Sequence, residues 1–156
     1  MYTCKDLLNI LIMKQIIEIG CDHAGYDLKQ LIIKHLVNLG YSVNDHGAFS
    51  VDSVDYPDFA HSVSKVIIAS EGKTGILICG SGNGINMTAN KYGQIRAALC
   101  WTPEIAQLAR QHNNANILTL PARFMDHNLA LKAVDVFLNT EFEGGRHEKR
   151  VNKISC

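Results

Sequence analysis

The chain has 156 residues, enough for one domain with a real core, and its 47% hydrophobic and 19% charged composition is that of an ordinary globular protein. Fifteen basic and fifteen acidic residues give a formal net charge of zero, so bulk charge offers nucleic acid no footprint and leaves self-association unopposed. Five scattered cysteines (Cys4, Cys21, Cys79, Cys100, Cys156) form no C-x-x-C pair, which argues against a zinc knuckle or disulfide framework and suits free thiols in a reducing cytoplasm.

Residues 1–12 read as an extension outside the fold, either a mobile tail or sequence that precedes a real start at Met13. The apolar run from Leu7 to Met13 is broken by Asn9, is too short to span a membrane, and lacks the cleavage site of a signal peptide. Residues 15–19 read as a first strand closed by Gly20. Residues 26–39 carry Leu28, Leu31, Ile32, Leu36 and Leu39 at helical spacing, and Gly40 ends that helix.

Tyr41 to Asp45 is a second strand. Pro57 opens a helix to about residue 70 that buries Phe59, Val63, Val66 and Ile67. Gly75 to Cys79 is a third strand, followed by a helix over about 83–92, and Arg96 to Cys100 is a fourth strand. Thr102 caps the next helix, with Pro103 in its first position. Asn116 to Leu120 is a fifth strand, and Met125 to Leu138 a long amphipathic helix. The alternation predicts one doubly wound, Rossmann-like α/β domain over residues 13–156: a parallel sheet of about five strands with helices on both faces.

Ligands in such sheets bind beyond the carboxyl ends of the strands, which directs attention to Cys21-Asp22-His23, to Cys79 through Gly84, and to Cys100-Trp101. Gly80-Ser81-Gly82-Asn83-Gly84-Ile85 fails as a dinucleotide fingerprint, because Ile85 takes the sixth place and no acid follows about 20 residues on. Gly72-Lys73-Thr74 fails as a P-loop because it precedes its strand. What remains is a strand, a glycine turn and a helix start, whose backbone N–H groups can meet a developing negative charge. The plainer reading is a tight turn with no ligand.

Cys79 is either a buried apolar filler or, beside the helix start, an accessible thiolate of lowered pKa. Asp22 could hold a hydroxyl and His23 a substrate oxygen or phosphate. His112 is either a helix C-cap or a proton shuttle. Arg146 and Arg150, four apart, share a helical face that suits phosphate, or else a solvated basic tail. His35, His46, His61 and His127 lack a spaced partner and read as structural or surface residues, and no cluster has metal-ligand spacing.

The segments Gly20 to Gly25, Asp55-Tyr56-Pro57, Gly75 to Gly84, Ala89-Asn90-Lys91, Arg110 to Asn113 and Gly144 to His147 occur in that order. Together they resemble type B ribose-5-phosphate isomerases, in the family that includes galactose-6-phosphate isomerase subunits. The resemblance implies aldose–ketose isomerisation of a sugar phosphate without metal or organic cofactor. It implies Cys79 as the base that moves a proton between C1 and C2 through a cis-enediolate. It also implies the amides of Gly80, Ser81, Gly82, Asn83 and Gly84, with the Ser81 hydroxyl, around the enediolate oxygen.

By the same resemblance His112, helped by Asp22, opens the furanose ring. His23, Arg123, Arg146 and Arg150 hold the phosphate, and Asn113 a sugar hydroxyl. Some members carry a glutamate base at the position of Ile85; here the thiolate of Cys79 is what remains. The family's active site lies between subunits, which implies a homodimer, with a tetramer as an extension, and neither nucleic-acid nor membrane partners. Two alternatives stay open: an isomerase of a hexose 6-phosphate (allose or galactose), and a non-catalytic phosphate- or nucleotide-binding domain.

Overall fold

The structure, a computed structural model, describes residues 15–155. The reading of residues 1–12 and of Met13 lies outside the described residues. Five parallel strands, β1 (Ile16–Cys21), β2 (Ser42–Asp45), β3 (Thr74–Cys79), β4 (Ala97–Leu99) and β5 (Ile117–Pro121), form one sheet in the order β2-β1-β3-β5-β4. Six helices connect and flank them: α1 (Tyr26–Asn38), α2 (Tyr56–Ala69), α3 (Asn83–Ala89), α4 (Pro103–Asn113), α5 (His127–Asn139) and α6 (Arg146–Val151).

The strands alternate faces because side chains in an extended chain point to opposite sides. Ile17, Ile19, Ile76, Ile78 and Leu118 pack with Leu28, Ile32, Leu36, Ala106, Val134 and Phe137 under α1, α4 and α5. Leu77, Cys79 and Ile117 pack on the other face with Val63, Ile67, Ile85 and Ala89 under α2 and α3. The buried strands read as near-continuous apolar runs for this reason.

Several boundaries differ from the sequence reading. The first strand continues through Gly20 to Cys21, since Cys21 still pairs with Ile78 of β3. The helix expected over 83–92 stops at Ala89, where the Asn90 side chain takes the Ala97 N–H and donates to the Ala97 carbonyl (2.9 and 2.8 Å). Phe59 and Val66 are only half-buried, and Leu31 and Leu39 are exposed. The Thr102 cap forms as expected, its hydroxyl oxygen accepting from the Ile105 N–H.

Three of the four histidines without a spaced partner find one across the fold, and His127 is exposed. His46 Nε2 lies 2.7 Å from the carboxylate of fully buried Glu18, whose other oxygen meets Lys73 Nζ at 2.8 Å. His46 Nδ1 meets the Ser62 hydroxyl at 2.6 Å, His61 meets the Tyr92 hydroxyl at 2.8 Å, and His35 meets Asp135 at 2.7 Å. Their structural role stands, but these contacts span 16 to 100 residues, beyond any local spacing rule. Among the described residues, no helix is long and apolar enough to cross a membrane.

Candidate active site

The strand order reverses between β1 and β3, because β2 extends the sheet to one side of β1 and β3 to the other. Such a switch point opens a crevice at the carboxyl, or upper, edge of the sheet. Asp22 and His23 follow β1 there, Cys79 ends β3, and Arg123 follows β5. Asp22 Oδ1 accepts from the N–H groups of Ala24 and Gly25 (2.9 and 3.1 Å), capping the short 3-10 turn that carries His23. His23 Nδ1 sits 3.3 Å from the Val54 N–H nitrogen, which fixes its ring against the segment entering α2.

Cys79 is 4% exposed. The turn that follows it needs its glycines: Gly82 adopts φ +76°, and a Cβ there would run into the Leu99 side chain. A Cβ on Gly84 would lie 2.5 Å from the ring of Tyr56, which covers the turn. Arg123 donates its backbone N–H to the Gly80 carbonyl (3.0 Å) and lays its side chain over Gly80. Ser81 Oγ accepts from the Asn83 N–H at 3.3 Å, leaving the hydroxyl proton free to donate.

The ionisation of Cys79 differs from the expectation. Burial pushes its thiol above the ordinary value of 9.0, and the Asp22 carboxylate adds to the rise. The backbone N–H groups of Ile85, Gly82 and Ser81 face the sulfur and favour the thiolate without overcoming that burial. The helix start supplies donors, as read from the sequence, yet desolvation under the covering side chains is the larger effect. A thiolate formed here is a stronger base than an ordinary one.

A second group of predicted residues gathers elsewhere. The chain leaving α4 returns to β5 at the lower edge: Asn116 donates to the Arg96 carbonyl just ahead of β4 (3.1 Å). His112 and Asn113, in the last turn of α4, therefore lie at the opposite edge of the sheet from Cys79. The ring of His112 stacks on His147 with centroids 4.1 Å apart and planes within 6°. Glu143 approaches both Nε2 atoms, at 4.0 Å from His112 and 3.5 Å from His147. Burial, then the neighbouring charges of His112 and Arg146, hold the His147 imidazole below its ordinary pKa.

The arginine spacing holds: α6 presents Arg146 and Arg150 on one face, and with Lys149 and Lys153 they line a wholly basic cavity of about 340 Å³. Sequence reasoning missed Glu143 and Tyr56 as neighbours and assigned no role to His147, although His147 lies inside the Gly144 to His147 segment. It also missed that the donor atoms of His112, Glu143 and His147 lie within 4.8 Å of one another, a metal-like set in which Glu143 and His147 are four apart and His112 is remote in sequence. The parallel stack points the ring lone pairs side by side, whereas a tetrahedral ion needs them to converge.

Comparison with known proteins agrees with this architecture. The sequence profile of the ribose/galactose isomerases matches residues 17–154. Ribose-5-phosphate isomerase B of Escherichia coli (strain K12) is 45% identical over 140 residues, covering 90% of this chain and 94% of that protein. A ribose 5-phosphate isomerase structure from Thermotoga maritima superposes with TM-score 0.88 at 50% identity, covering 90% of this chain and 97% of the other. The Mycoplasma genitalium ribose-5-phosphate isomerase B structure with bound ribulose-5-phosphate superposes with TM-score 0.87 at 46% identity, covering 92% and 95%. Matched along nearly its whole described length in sequence and in fold, the chain belongs to the ribose/galactose isomerase family.

Proposed function

We propose that this chain is a cytoplasmic ribose-5-phosphate isomerase that interconverts ribose 5-phosphate and ribulose 5-phosphate in a homodimer with shared active sites. The observation that carries this reading is the opposed placement of two half-sites. Cys79 and its glycine turn lie at the upper edge, while His112, Arg146 and Arg150 lie at the lower edge. A six-residue strand, about 20 Å long, separates the edges. A second chain related by a two-fold axis can set its lower edge against the first chain's upper edge, and the same contact then recurs in reverse. The names of the E. coli relative and of the ribulose-5-phosphate complex support the substrate.

In the assembled site, Arg146 and Arg150 of one chain, with His23 and Arg123 of the other, hold the phosphate. His112 protonates the ring oxygen as the C1–O bond breaks, Asp22 assists at the C1 hydroxyl, and Asn113 holds a further hydroxyl. The Cys79 thiolate removes the C2 proton, leaving a cis-enediolate with charge on O1. The amides of the Gly80 to Gly84 turn and the Ser81 hydroxyl stabilise that oxygen. The thiol returns its proton to C1 while the hydroxyl proton passes from O2 to O1, completing the ketose. These steps use no cofactor, and the basic cavity of the second chain favours the thiolate that burial opposes.

Subunit mixing tests the reading. Cys79→Ala and His112→Ala chains are each expected to be nearly inactive alone. When unfolded and refolded together they should regain about a quarter of wild-type activity, since half the dimers carry one intact site of two. A mixture as inactive as its components overturns the shared site, and wild-type chains inactive on ribose 5-phosphate overturn the substrate.

A further inference from the structure

At the lower edge, below the starts of β3, β4 and β5, lies a cavity of about 440 Å³ whose polar lining includes Lys73, Gln94, Arg96, Arg110, Asn114 and Asn116. It shares no lining residue with the basic cavity of α6. Arg96 donates its Nε to the Asn114 carbonyl (2.9 Å), and its two terminal nitrogens meet no acceptor among the described residues. Arg110 donates Nε to the Thr140 carbonyl (3.2 Å) and one terminal nitrogen to the Ala115 carbonyl (2.5 Å) and the Asn114 side chain (3.1 Å). Its other terminal nitrogen is free in the same sense.

Neither guanidinium has a carboxylate at ion-pair distance among the described residues. Lys73 is already neutralised by Glu18, and Glu71 brings one exposed carboxylate to the rim. Burial pushes the guanidinium pKa of both arginines down, and the Arg96 charge adds to the fall at Arg110. Two half-buried like charges with no counter-ion are mutually unfavourable, and a shared anion relieves both the repulsion and the lost hydration.

We propose that this cavity is a second anion site that takes the phosphate group of a small phosphorylated metabolite. Two planar guanidinium forks with unspent N–H groups suit a tetrahedral oxyanion carrying several acceptors. The volume is within the range of small-molecule sites and exceeds what a bare phosphate fills, so the phosphate arrives attached to a larger body that reaches Gln94. The site abuts the last turn of α4, two residues from His112.

The test uses inorganic phosphate on the full chain. Calorimetry should find two phosphate sites per chain in the wild type and one in the Arg146→Ala/Arg150→Ala double variant. Adding Arg96→Gln to that variant should weaken the remaining site by about tenfold or more, with Arg96→Lys recovering part of the loss. Phenylglyoxal modification mapped by mass spectrometry serves if Arg96→Gln fails to fold: Arg96 should be modified in phosphate-free buffer and protected by phosphate. No phosphate binding in the double variant, equal affinity with and without Arg96→Gln, or Arg96 labelling indifferent to phosphate overturns the proposal.

Discussion

In the proposed function the glycine turn after β3 and the basic groove of α6 both meet negative charge, but by opposite means. The turn is backbone: mostly half-buried, held by the left-handed and buried Gly82 and by Tyr56 set over Gly84, with N–H groups converging on one sulfur. The groove is side chain: Arg146, Lys149 and Arg150 are exposed on a helix of six residues and can each adjust. Fixed dipoles suit a charge that exists only briefly and at one point. Mobile cations suit a phosphate that stays charged from binding to release.

If that division is right, variants at the turn change turnover and variants at the groove change binding. The largest expected effect is Cys79→Ala, which should lower kcat by about 10⁴-fold while equilibrium binding of ribose 5-phosphate persists. A loss smaller than tenfold would move the base elsewhere. His112→Ala, which belongs to the lower edge yet acts on a bond in the proposed mechanism, should cost about 10³-fold on the cyclic sugar. It should cost far less on a short aldose phosphate that cannot close a ring; equal losses would remove ring opening from His112.

Glu18 provides a control, an ion cluster that belongs to neither half-site. Burial alone would raise its pKa, but hydrogen bonds from His46, Lys73 and Asn44 hold it below the ordinary 4.5. A carboxylate depressed on folding stabilises the fold above its unfolded pKa, and that contribution is lost as pH falls below about 4.5. Glu18→Gln should therefore cost about 3 kcal/mol in urea unfolding at pH 7 and flatten the acid side of the stability profile. Its kcat should be untouched. The smallest expected effect is Arg150→Ala, raising KM about tenfold with kcat near wild type, because the proposed phosphate contact would persist into the transition state. A matching fall in kcat would blur the division.

The turn could be read from the sequence because it is contiguous: Cys79 to Gly84 carry their geometry in residue type, since a positive φ at Gly82 and the close approach at Gly84 require glycine. The five strands and the first five helices were legible for the same reason, through local periodicity and caps such as Thr102 with Pro103, whereas α6 carried only the four-residue spacing of Arg146 and Arg150. The ionisation of Cys79 was not legible, because its desolvation depends on how the core closes over it. Nor were the His112–His147 stack with Glu143, or the Glu18–His46–Ser62 chain, whose members meet only after the sheet has formed. Helix ends determined by a side-chain bond to the next strand, as Asn90 to Ala97 seven residues on for α3, escape helix-capping rules in the same way.

The opposite-edge placement of Cys79 and His112 has a consequence for how such a protein can diversify. In the proposed dimer each chain owns one half-site and lends the other. After a gene duplication, one copy can lose its thiol and remain useful as a lender, and its sister can lose its histidine and remain useful as an owner. Two chains, each inert alone, then become obligate companions, and the freed half-site of each is open to selection for a different sugar.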